Sequence, residues 1–167
     1  MNRTSEFVLR SLIIGAGATA LIDLWAILLK RLGVSSLNFA FLGRWLGHLF
    51  DDGRWSHKSI AKAEPISGEL WIGWFIHYSI GVTFAALLLA VNGLTWARNP
   101  TLLPALITGI VTVIAPLFVL QPALGAGIAS SKMSRPVFNV FKSLLTHTVF
   151  GCGLYLAALA NAWLIPA

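Results

Sequence analysis

Four long apolar segments constrain this 167-residue chain more than any other feature of its sequence. Each approaches or exceeds the roughly 18 to 20 residues that a helix needs to cross about 30 Å of hydrocarbon. With 57% hydrophobic and only 11% charged residues, the chain lacks the polar surface of a soluble domain. We predict an all-α integral membrane protein, a four-transmembrane-helix bundle forming one domain over residues 1–167. The predicted spans are Leu12–Leu29, Leu70–Val91, Leu102–Leu120 and Ser143–Leu164.

The first apolar segment has some features of a secretory signal, because Arg3 and Arg10 precede it. However, Asp23 interrupts the segment and no small-residue cleavage site follows. We therefore expect an uncleaved helix. Cys152 is the single cysteine, so an intramolecular disulfide is excluded.

The net charge of +6 is explained by membrane topology rather than by nucleic acid as a partner. Nine of the 12 Lys and Arg residues lie in or beside the first and third connections. Cytoplasmic loops carry an excess of these residues. We therefore predict that these two connections face the cytoplasm and that both termini face the outside. The three cations on the opposite side are Arg3, Arg10 and Arg98.

Two local patterns refine the fold. Apolar residues recur at helical spacing over Leu37–Phe50 in the first connection, which predicts an amphipathic helix lying in the membrane interface. Pro116 falls inside the third span, where a proline removes a helical hydrogen bond and should kink the helix. The small residues that flank His77 and His147 at four-residue spacing predict close contacts between helices.

The candidate site consists of Asp23, His77 and His147, three ionisable residues in three different spans. Burying such groups in a membrane is costly, so they are often functional. At about 1.5 Å per residue, each lies roughly 8 to 12 Å from the predicted cytoplasmic end of its span. We expect them to converge in one polar pocket. Tyr78, Gln121 and Glu69 are further candidate ligand-binding residues, and Glu69 has Lys142 as its expected partner.

The residue types leave several chemistries open. A carboxylate beside imidazoles suits proton coupling, cation binding or general acid–base work. One Asp and two His could also hold a divalent metal, and two His could ligate haem. Mutual hydrogen bonding that only stabilises the bundle is the structural alternative. His48 and His57, in the first connection, are expected to be solvated.

The chain resembles the membrane-protein family called domain of unknown function 2938. The resemblance rests on IDLW at Asp23, GRWLGH from Gly43, the Gly73 and His147 motifs, and two proline motifs, NPTLLPAL and QPALGAGIASS. It covers nearly the whole chain. It implies a small multi-pass protein of the bacterial inner membrane, with the termini on the periplasmic side if the charge rule holds, and brings no known activity.

The leading functional hypothesis is binding or translocation of a small solute or cation through the polar pocket. The main alternative is a membrane-embedded enzyme acting on a lipid, with His77 or His147 as the base. A structural or accessory subunit is the third hypothesis. Four helices enclose a narrow space, so transport would favour a homo-oligomer.

Overall fold

The computed structural model describes residues 2–165, which form helices and connecting turns without a β-strand. Four helical segments in this range are long and apolar enough to cross a membrane. The all-α prediction with four spans is therefore confirmed. The α-helices are α1 (Arg3–Arg31), α2 (Phe39–Asp51), α3 (Glu69–Arg98), α4 (Leu102–Val111), α5 (Gln121–Leu124) and α6 (Pro136–Leu164).

The helices extend beyond the apolar segments that predict them. Helix α1 begins at Arg3 because the Asn2 side chain accepts a hydrogen bond from the Ser5 amide at 2.7 Å, which caps the first turn. Lys30 and Arg31 occupy its last turn, where positive charge is favourable. The helix predicted over Leu37–Phe50 is also present, as α2. Within α3, Gly93 has a φ of 77°, which interrupts the helical backbone before its last residues.

The third span is broken, as Pro116 predicts. Helix α4 ends at Val111, and a π-helical turn occupies Pro116–Leu120 before α5. Because Pro116 has no amide hydrogen, the Thr112 carbonyl loses its usual helical donor. The Thr112 hydroxyl donates to the Gly109 carbonyl at 2.8 Å, which satisfies part of the end of α4.

The chain packs as two compact units. The helix unit comprises residues within 1–34, 78–112 and 146–167, and the loop unit comprises residues 35–77 and 113–145. The helix unit contains parts of all four spans. Its core is apolar and almost fully buried, as Ile14, Leu88 and Leu154 illustrate.

Glycines allow close packing in both units. In the helix unit, a Cβ atom on Gly109 would lie 2.5 Å from the Gly151 Cα atom, so α4 and α6 meet backbone to backbone. In the loop unit, a Cβ on Gly43 would overlap the Glu69 carbonyl, so α2 lies directly against the first turn of α3. The small-residue contact predicted beside His147 is confirmed.

Candidate intramembrane polar site

Asp23 and Tyr78 form the first part of the site. Asp23 lies in α1 and Tyr78 in α3, and both side chains belong to the helix unit. The Tyr78 hydroxyl donates to Asp23 Oδ2 at 2.9 Å. Both residues are half-buried. The Tyr78 hydroxyl thus orients the carboxylate within a membrane-length helix, and a ligand-binding role for Tyr78 stays a prediction.

His147 is held by the end of α4. Its Nδ1 atom lies 3.1 Å from the Gly109 carbonyl oxygen and 3.1 Å from Thr112 Oγ1. A carbonyl oxygen can only accept, so Nδ1 must carry a proton for this contact to be a hydrogen bond. In the neutral ring, Nε2 then has the lone pair. The helix end at Val111 therefore selects one tautomer of His147.

His77 has aromatic neighbours in the loop unit. Its ring centroid lies 4.4 Å from that of Phe39 on α2 and 5.9 Å from that of Trp74 one turn earlier. Convergence of His77 with Asp23 and His147 stays a prediction. Within residues 2–165, no group of three or more His, Cys, Asp and Glu side chains is placed to hold a metal ion. The three-residue metal site therefore gains no support.

Glu69 has a different partner from the one predicted. Its carboxylate accepts two hydrogen bonds from Arg44, from Nε and from Nη2, each at 2.8 Å. Lys142 instead donates to the Ser35 carbonyl at 2.7 Å. The expected Glu69–Lys142 pair is wrong because α2 packs against the start of α3 and brings Arg44 to the carboxylate. The planar guanidinium also matches both oxygens, which an ammonium group cannot do.

Arg44 connects three parts of the loop unit. Besides Glu69, it donates to the Ile60 carbonyl at 3.3 Å and to the Ala63 carbonyl at 3.0 Å. The Glu69 carboxylate raises the pKa of Arg44 above its usual value. Arg44 therefore stays charged and ties α2 to α3 and to the preceding turn.

Gln121, the last predicted ligand-binding residue, takes part in a local contact. Its Oε1 atom accepts a hydrogen bond from Ser130 Oγ at 3.0 Å. Ser130 is buried, with 2% of its surface exposed. Gln121 thus fixes the connection between α5 and α6.

Sequence reasoning missed a buried polar network in the helix unit. The Glu6 carboxylate pairs with Arg10 at 2.8 Å and with Arg98 at 2.7 Å. Arg10 is only 1% exposed and also donates to Asn161 Oδ1 at 2.7 Å and to the Ile165 carbonyl at 2.9 Å. The i,i+4 spacing of Glu6 and Arg10 was a usable signal. Nothing in the local sequence indicates Arg98 or Asn161 as their partners.

His57 is the second feature that differs from expectation, because it is buried rather than solvated. It is 8% exposed, and its ring centroid lies 5.3 Å from that of His48. Its amide donates to the Ala123 carbonyl at 2.9 Å, while its Nε2 atom has no hydrogen-bond partner among residues 2–165. Burial lowers the pKa of His57, and the neighbouring His48 and Arg54 lower it further.

The fold and its polar side chains define an all-helical protein with four membrane-length helices and ionisable groups within them. Its family follows from a direct match. A family model described as "Protein of unknown function (DUF2938)" matches residues 12–161, and the chain belongs to that family. No curated protein and no solved structure matches the chain.

Proposed function

We propose that this protein binds a small cation at Asp23 and moves it across the membrane. The observation that carries the proposal is a carboxylate inside a membrane-length helix, oriented by the Tyr78 hydroxyl at 2.9 Å. Ionisable residues at this depth usually mark ion or proton pathways. A carboxylate offers about four acceptor positions, and the bond from Tyr78 occupies one of them and orients the group.

The broken third span supports the same proposal. Transporters often bind ions where a helix is interrupted, because unwound carbonyls can coordinate a cation. Here α4 stops at Val111, and Pro116 removes the donor of the Thr112 carbonyl. The His147 ring is hydrogen-bonded at this same helix end. It adds an imidazole of defined orientation to this helix end.

The membrane setting completes the proposal. The Lys and Arg distribution favours a cytoplasmic location for the first and third connections. A pathway through four helices is narrow, so we propose a homo-oligomer for transport.

The test is cation uptake into proteoliposomes that contain the purified chain, measured with entrapped proton- and sodium-sensitive dyes. Asp23→Asn keeps the shape of the side chain, removes its charge and should abolish uptake. Tyr78→Phe should leave partial uptake with a raised KM, since only the orientation of the carboxylate is lost. Asp51→Asn, at an exposed carboxylate, is the matched control and should behave like the unmodified protein. Full uptake by Asp23→Asn would refute the proposal.

A separate experiment tests whether Asp23, His77 and His147 act as one unit. We expect the combined Asp23→Asn, His77→Ala and His147→Ala changes to destabilise the protein less than the sum of the single changes. The reason is that a lone ionisable group left in low dielectric is more costly than removal of the set. Strict additivity in thermal melts would show that the three residues do not form one pocket.

The geometry of His147 favours a second candidate function, a membrane-embedded enzyme acting on a lipid. Its Nδ1 proton is directed to the Gly109 carbonyl, which leaves Nε2 as a base in a defined orientation. Incubation with phospholipid vesicles and mass analysis of the lipids would test this candidate. His147→Gln should abolish any product that the unmodified protein forms. Unchanged lipids would eliminate the enzyme.

A further inference from the structure

An apolar groove lies in the loop unit. It has a volume of about 370 Å³. This volume is within the range of roughly 300 to 1,000 Å³ that is common for sites holding organic molecules. It is lined by Ala129, Pro136, Val137, Val140, Phe141 and Leu144. Five of these residues lie on the first turns of α6, and the groove is therefore placed at one end of a membrane-length helix.

Two cations lie in the connection that precedes α6, between two lining residues in sequence. Lys132 and Arg135 belong to the short chain from Ala129 to Pro136, and both are exposed. Among residues 2–165, neither forms an ion pair with a carboxylate. The chain offers few partners nearby in sequence, because all six acidic residues lie at or before Glu69. An apolar groove with unneutralised positive charge in the adjoining connection complements a lipid that has an anionic headgroup.

The backbone that leads to the two cations is strained and fixed. Ala129 and Ser130 have φ values of 49° and 60°, a conformation that residues other than glycine rarely adopt. The buried Ser130 side chain is bonded to Gln121, and the Lys132 amide donates to the Ala126 carbonyl at 3.0 Å. Strain of this kind persists where the surrounding structure enforces it, often at ligand sites.

We propose that this groove binds an anionic phospholipid. Lys132 and Arg135 contact the headgroup phosphate, and one acyl chain lies along Val137, Val140 and Phe141. The two cations discriminate between headgroups, whereas the groove contributes affinity for any acyl chain. This division of roles makes the two halves of the site separable by mutation.

Native mass spectrometry of the full chain in neutral detergent tests the proposal. Dioleoyl phosphatidylglycerol and dioleoyl phosphatidylcholine are titrated separately, so that only the headgroup differs. We expect tighter binding of phosphatidylglycerol. Lys132→Gln and Arg135→Gln should each weaken it about fivefold, in line with the contribution of one cation near an anionic lipid. Binding of phosphatidylcholine should not change.

Further variants control for net charge and for the groove. Lys58→Gln and Lys62→Gln each remove one charge from an exposed position, as each test variant does, and should leave the lipid preference intact. Val140→Phe fills the groove and should weaken both lipids while keeping their ratio. A thermal melt without lipid verifies that each variant is folded.

Three outcomes would overturn the proposal. The first is equal binding of the two lipids by the unmodified protein. The second is an equal loss with the Lys58 or Lys62 control. The third is displacement of phosphatidylglycerol by millimolar inorganic phosphate, which would indicate an anion site without an acyl-chain component.

Discussion

The two units use the same chemical pair, arginine with glutamate, in different ways. In the helix unit, Glu6 joins Arg10 of its own helix and Arg98 at the end of α3, and Arg10 continues to Asn161 on α6. In the loop unit, Arg44 on α2 joins Glu69 on α3 and the carbonyls of a turn. The first network links three spanning helices, whereas the second anchors a connection to one helix.

Burial distinguishes the two networks further. The Arg10 side chain is 1% exposed, whereas those of Arg44 and Glu69 are 9% and 17% exposed. An isolated charge becomes more costly as water is removed from around it. The comparison therefore predicts that breaking the helix-unit network has the larger effect on stability. It also suggests that the Arg44 pair contributes mainly to the position of α2.

The largest effect is expected for Arg10→Leu. This change removes a hydrogen-bond donor from the buried Glu6 and Asn161 side chains. Removal of one member of a buried ion pair typically destabilises the folded protein by about 3 to 5 kcal/mol. Unfolding in graded detergent mixtures provides the measurement. Arg3→Leu on the same helix, at an exposed position, is the control and should have little effect. Equal stability of the Arg10 and Arg3 variants would contradict the proposed role of the network.

A smaller loss is expected for Arg44→Leu, about 2 kcal/mol, since its charged hydrogen bonds are partly solvated. Arg44→Lys should recover only part of this loss, because lysine cannot bind both carboxylate oxygens in the fork geometry. Hydrogen exchange should increase in α2 and not in α1. Arg54→Leu serves as the control, since the Arg54 side chain is 57% exposed. If exchange in α2 were unaffected by Arg44→Leu, another contact would have to hold this helix.

The next effect depends on pH and concerns His57 in the loop unit. Its pKa is lowered in the folded state, so the unfolded chain takes up a proton first as the pH falls. The stability that the neutral His57 ring contributes is fully present above about pH 6.5, the ordinary pKa of histidine. This contribution decreases as the pH falls from about 6.5 toward the lower pKa that His57 has in the folded protein.

His57→Leu should retain stability at pH 7.5, because Nε2 has no hydrogen bond to lose within the described part of the chain. It should also flatten the fall in melting temperature between pH 7 and pH 5. His48→Gln tests the origin of the shift and should reduce the slope, since His48 is one cause of the lowered pKa. A slope that is identical in all three proteins would assign the pH dependence to another group.

The last prediction concerns the sides of the membrane on which the two networks lie, and no change in stability is expected. The charge rule predicts that Ser56 and Ser131 face the cytoplasm and that Asn2 and Asn99 face the outside. Single cysteines at these positions, in a Cys152→Ser background, should be labelled by an impermeant thiol reagent in intact cells only at Asn2 and Asn99. The reverse pattern would invert the orientation.

Much of the fold was predictable from composition and periodicity. Segments of about 20 apolar residues predicted four spans, and each lies within an observed helical segment. Pro116 predicted the break in the third span, and the pattern over Leu37–Phe50 predicted α2. These are local properties, because helix length, missing amides and apolar stripes act within a few turns of the chain.

Pairing of the polar side chains was less predictable. Tyr78 was named as a candidate ligand-binding residue, but its contact with Asp23 was not predicted. Glu69 was assigned the wrong cation, and the network around Glu6 was not predicted. His57 was expected to be solvated and is buried. Each of these outcomes depends on residues far apart in sequence, such as Arg98 with Glu6.

The sequence by itself thus determined that the chain is helical, how many spans it has, where the third one breaks and which ionisable groups lie within apolar segments. Only the tertiary structure decided which partner each charge receives. The reason is physical. Hydrophobicity and backbone hydrogen bonding are set by neighbouring residues, whereas an ion pair requires two side chains within about 4 Å. Arg44 and Glu69 reach that distance where Gly43 lets α2 approach the first turn of α3 at backbone contact.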